Sequence, residues 1–457
     1  MIIITEKGGR CMKPWKKLAQ GMLTVGLVSM LAACGSNEKP EAGSSSSSSA
    51  SEAPKGEVTE IAFANWISVE DGTKEAYKQL IADFESKHPN IKVKSLGIPF
   101  QQFKDQVLVN SAGGNAPDVS MANQNFTAAF VGAKVASPIE ELVGTDLVND
   151  IVEGSRSGVT YDGQVMAMPW APHPSALFWN KTLFAKAGLV PEKPPATWDE
   201  MIAAAKAVAA LGKDENGNPI YGIGETAATD SYTGNMLLRT SLSYGGKFID
   251  EQGKIVWDEG TALTDTLGYM KEMIGGGISP KGSDMKSLRG MFANGTMGLL
   301  IDGDFGRTNF RNMSGKGEAF DKEWGVVIVP PGKTGRSETV FTEHQLIIPA
   351  GGKHKEAAAE FVKYLVSKDA MLIYHQLNGI MSSLTSVASL PEMNEDDYAS
   401  VFNEQMKTAS PLPASNPKFD NAMKQSSDMI VLVTDSNKST EEAITLVMPK
   451  IKALYDQ

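Results

Sequence analysis

The only two cysteines of this 457-residue chain are Cys11 and Cys34, so everything downstream of residue 34 must fold without a disulfide. A body of roughly 400 residues can do so, because the fraction of surface buried grows with length and a large core replaces covalent staples. That length also suggests two or three domains. What precedes Cys34 has the shape of an export signal. Lys13, Lys16 and Lys17 lead into an apolar run from Leu18 to Ala33, interrupted by Gln20, Gly21, Thr24, Gly26 and Ser29. The run falls short of the ~20 predominantly apolar residues that a comfortable spanning helix needs. A start at Met12 would suffice, since Met12-Lys13-Pro14-Trp15-Lys16-Lys17 is a compact basic leader by itself.

The end of that run, Leu31-Ala32-Ala33-Cys34-Gly35, resembles the lipobox of bacterial lipoproteins. The resemblance implies a diacylglycerol on the Cys34 sulfur, and cleavage that leaves Cys34 as the first mature residue. The protein is then expected on the outer face of the cytoplasmic membrane, as in a Gram-positive cell. Residues 34–56 carry six consecutive serines, Ser44 to Ser49, among Glu, Pro, Ala and Gly. Such a stretch cannot bury apolar surface and reads as a flexible tether. Removing residues 1–33 takes away five basic groups and one acidic group, so the body is more acidic than the −11 of the whole chain. That charge argues against nucleic acid or an anionic lipid surface as the partner.

From about residue 57 onward the local patterns alternate between strand and helix. Residues 58–64 read as a buried strand ending at Asn65-Trp66, and Tyr77, Leu80, Ile81 and Phe84 recur at helical spacing. Pro89-Asn90 stops that helix before a second strand at 91–93. Thr197-Trp198-Asp199-Glu200 and Ser439-Thr440-Glu441-Glu442 each have the form of a capping box. Ala358, Phe361, Val362 and Leu365 mark the apolar face of another helix. The fold class predicted from this alternation is α/β, with sheets covered on both faces.

Several stretches then resemble one family. They are residues 84–93, 113–119, 177–184, 292–305, 347–350 and 378–381, together with Tyr161-Asp162-Gly163-Gln164-Val165-Met166-Ala167-Met168-Pro169-Trp170. In this order, and behind a lipobox, they resemble the extracellular solute-binding proteins of carbohydrate ABC importers, the group that includes the maltose-binding protein. The resemblance implies a two-lobe periplasmic-binding-protein fold with hinge strands and a ligand cleft between the lobes. Mapped onto this chain, the crossings are expected near residues 175–180, 329–335 and 367–372. Lobe one is then 57–174 plus 335–368, and lobe two is 175–334 plus 369–457. The implied partners are a carbohydrate ligand and the importer's permease subunits, with no cofactor, and the protein is expected to be a monomer.

Sugar recognition needs flat aromatic faces against the ring and planar polar groups for the hydroxyls. Both should lie beyond the carboxyl ends of the strands, where open α/β sheets bind ligands. Trp66 after the first strand and Trp170 before the first crossing are the stacking candidates, with a core position as the alternative for Trp66. Asn123, Gln124 and Asn125 offer three adjacent amides. His173, between Pro172 and Pro174, is a polar contact or simply a rigid loop residue. At 303–305 the family's usual Gly-Pro-Trp is replaced by Gly303-Asp304-Phe305, so Phe305 would stack and Asp304 would add an acceptor. Asp230, Tyr232, Asp302, Glu343, His344 and Met381 complete the candidate wall. Asp118 and Asn180 read as structural, and Trp257 as part of a surface strand. Arg239, Arg307 and His173 leave an acidic sugar open.

Other chemistries find less support. Asp302/Asp304 and Glu343/His344 could form acid–base pairs, which leaves a surface-anchored hydrolase or lyase as an alternative reading. A sugar sensor feeding a receptor kinase is another. No nucleophile elbow, His-Glu-x-x-His or phosphate-cradling loop occurs. Five scattered histidines and no usable cysteine make a transition-metal site unexpected. Asp214-Glu215-Asn216-Gly217-Asn218 resembles the start of a calcium loop, but its glycine comes too early. It reads as a turn.

Overall fold

The computed structural model describes residues 58–456. The signal segment, Cys34 and the serine stretch lie outside the described residues.

β1 (Thr59–Asn65) runs parallel to β2 (Ile91–Gly97) on one side and β3 (Val119–Ala122) on the other. Parallel neighbours need crossovers, and α1 (Lys74–Lys87) and α2 (Phe100–Ala112) supply them. α1 buries Ala76, Leu80 and Phe84, which recur every fourth residue. It stops just before Pro89, whose ring cannot continue a helix. Behind β3, α3 (Gln124–Gly132) opens on Asn123, whose side chain accepts a hydrogen bond from the Phe126 amide.

The organising element is β4 (Met168–Asn180), thirteen residues long and buried throughout. A strand buried on both faces reads as a continuous apolar run, which is why Ala176-Leu177-Phe178-Trp179 shows no alternation. β4 changes partners along its length. Residues 168–174 pair antiparallel with β8 (Thr339–Ile347), and residues 175–180 pair with β6 (Met297–Gly303) and β7 (Trp324–Val327). Pro169, Pro172 and Pro174 remove ladder donors along the first half. β5 (Tyr221–Gly224) lies parallel beyond β6, and β9 (Ala409–Pro411) pairs with the start of β8. The strand order is β2-β1-β3-β8-β4-β6-β5, so one strand handover joins two lobes.

Lobe two carries α4 (Trp198–Ala209), α5 (Ser231–Ser243) and α6 (Met285–Ala293). α5 buries ten of its thirteen residues, several of them polar. At α4, Thr197 accepts from the Glu200 amide, while the Glu200 carboxylate takes the Ala196 amide. α7 (Lys355–Leu365) and α8 (Lys368–Asn378) follow β8. α8 packs on α1 and α7, and Lys87 bridges to Asp369 at 2.8 Å. Ser367 caps α8, its side chain accepting from the Ala370 amide. α9 (Asp397–Met406) follows, and its Tyr398 and Phe402 are buried with Phe178 and Phe310. α10 (Phe419–Thr434) then lies along α5.

Trp257 is not on a surface strand: it is 1% exposed, donates from Nε1 to Ser241 Oγ at 2.9 Å, and packs edge-on against Phe248. The bridge between Ile249 and Ile255 folds this segment back onto α5 and carries the indole inward. Asp214 accepts from the amides of Asn216 and Asn218, which makes residues 214–218 a turn held by its own carboxylate.

Candidate functional site

The strands leave their polar residues at one seam. Trp66 directly follows β1, Asn123 follows β3, and Asp304 follows β6. His173 on β4 and His344 on β8 are brought there by the handover, because residues 173 and 342 are opposite each other in the ladder. Their rings stand 4.3 Å apart, centroid to centroid. His173 Nδ1 lies 2.6 Å from Asp304 Oδ1. Trp66 packs edge-on to His344 at 5.2 Å, and Trp170 sits 6.3 Å from His344 and 5.0 Å from Tyr374 of α8.

Four polar atoms in this group, His173 Nε2, His344 Nδ1, Asp304 Oδ2 and the Tyr374 hydroxyl, are buried without a hydrogen-bond partner among the described residues. Each such orphan costs roughly 1–3 kcal/mol, and native cores hold few of them. Ten other such atoms are scattered among the described residues, and these four lie on side chains that share one aromatic and histidine cluster. Burial, and then the neighbouring His173, hold the His344 imidazole well below its ordinary pKa, so it is neutral near pH 7. Burial drives the Tyr374 hydroxyl well above its ordinary value.

Lobe two adds a charged wall. Arg289 of α6 grips Asp302 through two hydrogen bonds of 2.7 and 2.8 Å, and its guanidinium lies 4.7 Å over the Phe305 ring. The tip of that ring closes on Gly303, where a Cβ would come within 2.7 Å of Phe305 Cζ. Phe305 also meets His173 edge-on at 5.1 Å. Glu70, on the loop after β1, faces the positive charges of Arg289 and Lys286. Tyr232 is pushed up to about 12 by burial and by the Asp302 charge.

The remaining candidates have definite places. Gln124 is pinned to β8, accepting from the Glu343 amide at 2.9 Å. Asn125 accepts from Asn235 of α5 at 2.7 Å, an amide pair that joins the lobes. Asp230 caps α5 through the Thr233 amide. Glu343 points away from the seam toward Ser155, Ser383 and Gln345, and burial raises its pKa. Met381 is half-buried against the aromatic cluster of lobe two. Tyr374, Arg289 and Asn235 are members of the site that sequence reasoning did not select. All three lie on helices, where an isolated polar or aromatic residue gives no sign of which face it occupies.

A cavity of about 170 Å³ opens between the lobes, lined among others by Phe100, Gln101, Asn125, Asp230, Tyr232 and Asn235. Phe100 and Phe126 line it and also pack edge-on against Trp66. A larger hollow of about 720 Å³ lies elsewhere, beside Leu147, Asp150, Val366 and Ser386, and shares no residue with the seam.

Residues 70–372 match the family model of bacterial extracellular solute-binding proteins. The multiple sugar-binding protein of Streptococcus mutans is 27% identical over 385 residues, 80% of this chain and 82% of that protein. The maltotriose-binding protein of Pyrococcus abyssi is 22% identical over 362 residues, 78% of this chain and 73% of its own. Among solved structures, the GacH receptor of Streptomyces glaucescens, studied unliganded and with acarbose, superposes with a TM-score of 0.76 at 21% identity, over 87% of this chain and 98% of that one. The maltotriose-binding protein of Thermus thermophilus gives 0.70 at 18% identity, over 86% and 99%. At these identities the structural likeness carries the two-lobe fold, and the family match carries the class. The chain belongs to the bacterial extracellular solute-binding proteins, whose work is to bind and release rather than to catalyse.

Proposed function

We propose that this protein is the lipid-anchored, extracellular substrate-binding component of an ABC importer, capturing a sugar at the seam and delivering it to the permease. The observation that carries the reading is the group of four unpartnered polar atoms walled by Trp66, Trp170 and Phe305. Hydroxyls would satisfy the polar atoms, and C–H faces would lie against the aromatic wall. The sugar-binding relatives support the same ligand class.

The lobes act as jaws. We assign residues 57–174, with the later stretch through α8, to one lobe and residues 175–334, with α9 and α10, to the other. Asn125–Asn235 and Lys104–Asp420 bridge them directly. A sugar that touches both lobes shifts the population toward the closed form by as much as its preference for that form. Anchored through Cys34, the loaded protein stays near the membrane at a raised effective concentration for docking. A hydrolytic reading loses support because both Asp302 oxygens are committed to Arg289, while Glu343 and His344 project from β8 in opposite senses.

The test is a thermal-shift screen of the full-length protein against mono- and oligosaccharides. A bound ligand raises the melting temperature by mass action, so at least one sugar should shift it and none should be consumed. A flat response across the panel, or turnover, would sink the reading. Labelled fatty-acid incorporation that is lost in Cys34→Ala tests the anchor separately.

A further inference from the structure

Glu225 directly follows the last residue of β5, and both of its carboxylate oxygens are held. Arg239 Nη2 of α5 donates to Glu225 Oε2 at 3.1 Å, and the Tyr269 hydroxyl donates to Oε1 at 2.7 Å. The Glu225 amide donates to Ser279 Oγ at 2.9 Å. Arg239 Nη1 also lies 3.5 Å from the Ile301 carbonyl of β6, the strand that carries Asp302. Glu225 and Arg239 are 1% and 3% exposed. A buried ion pair seldom outdoes apolar residues of similar volume in stability, because desolvation offsets its attraction. Its use lies in geometry. Here it ties the end of a strand to the body of the helix that the strand feeds, across the connection 225–230. Thr229, Asp230, Ser231, Tyr232 and Asn235, on that connection and the start of α5, line the 170 Å³ cavity between the lobes. From there Asn235 donates to Asn125 of the opposite lobe at 2.7 Å.

We infer that the Glu225–Arg239 pair positions the lobe-two wall of this cavity. It holds residues 229–235 where they meet the opposite lobe and a bound sugar, and the fold itself does not require it. Arg239 is then a positioning residue, which acts through the wall and does not touch the sugar. The consequence for affinity rests on the sugar-binding reading, whereas the consequence for the wall does not.

The experiment compares the full-length protein with a triple variant, Glu225→Leu, Arg239→Met and Tyr269→Phe, which replaces the network by apolar groups of similar volume. Its denaturation midpoint should match the parent's. Hydrogen exchange over residues 229–235, measured without sugar, should be about fivefold faster or more. Affinity for whichever of glucose, maltose and maltotriose the parent binds should fall about fivefold, because less of the protein is competent. Glu225→Gln, which still accepts from Arg239 and still meets the Tyr269 hydroxyl, should exchange and bind like the parent. A triple variant that exchanges and binds like the parent overturns the inference. So does a Glu225→Gln variant as loose over 229–235 as the triple variant, or a triple variant that does not fold. Exchange is read without sugar, so a parent that binds none of the three sugars counts against the sugar reading and leaves this test intact.

Discussion

His173 and Asp304 meet at 2.6 Å although 131 residues separate them, one coming from the shared strand β4 and the other from the end of β6. Each presents its second polar atom unpartnered to the seam. The Tyr398 hydroxyl holds the Asp304 carbonyl at 2.6 Å, so the backbone is fixed independently of the side chain. Asp304→Asn should therefore keep its place while losing the charge. Hydrogen bonds to charged groups contribute about 1.5–3 kcal/mol, so sugar affinity should fall roughly tenfold or more. Calorimetry reads this directly, and an unchanged dissociation constant would remove Asp304 from the binding group.

Trp170 is a different matter. Its indole is 1% exposed and donates to the Leu365 carbonyl at 2.9 Å, tying β4 to the end of α7. Trp170→Ala should thus cost stability, about 3–5 kcal/mol for a buried aromatic truncated to alanine, as well as binding. Trp170→Phe keeps the ring and loses only that hydrogen bond, so its denaturation midpoint should stay much nearer the parent's. Chemical denaturation of both variants without sugar checks the difference. Equal midpoints for Trp170→Ala and the parent would show that the ring contributes nothing to the core.

The depressed pKa of His344 sets a pH dependence. In the unfolded chain it takes up a proton near its ordinary 6.5, whereas in the folded protein burial and then His173 resist protonation. The unfolded state therefore gains protons first, and stability should fall as pH drops below 6.5, by at most about 1.4 kcal/mol per unit from this group. Glu343 runs the other way. Its carboxyl is raised by burial, so folding favours its protonated form and gains as pH falls toward its ordinary 4.5. The contribution of His344 is isolated by comparing the parent with His344→Gln between pH 6.5 and 5.5. The variant should lose less stability over that interval, and identical slopes would refute the assignment.

The helices and strands were legible because they rest on local signals. The Leu80 and Phe84 spacing gives α1, and Ser439 with Glu442 forms the capping box that opens the last helix. Trp66, His173, Asp304 and Phe305 were legible as seam residues because each lies beside a strand end or crossing. What sequence could not convey is which way a side chain turns once the strands are paired. Glu343 and His344 are neighbours, yet only His344 faces the seam. Tyr374 lies on a helix face that no local pattern assigns to the seam, and it is fully buried against Trp170. Trp257 looked like a surface residue because burial there comes from a long-range bridge that no local pattern reports.

The bridges between the lobes lead to the last prediction. Asn235 Nδ2 donates to Asn125 Oδ1 at 2.7 Å, and Lys104 pairs with Asp420, whose side chain is only 4% exposed. Bonds between opposing lobes stabilise the closed form whichever sugar is inside. The apparent dissociation constant is the intrinsic one divided by the fraction of competent protein. Asn235→Ala and Asp420→Asn should each raise it about two- to tenfold, by the same factor for every sugar that binds. Because the two bridges share no residue, their effects should add in the double variant. Small-angle scattering of the unliganded variants should show a larger radius of gyration than the parent. If one variant instead weakens one sugar and spares another, that side chain touches the ligand and is not a closure contact.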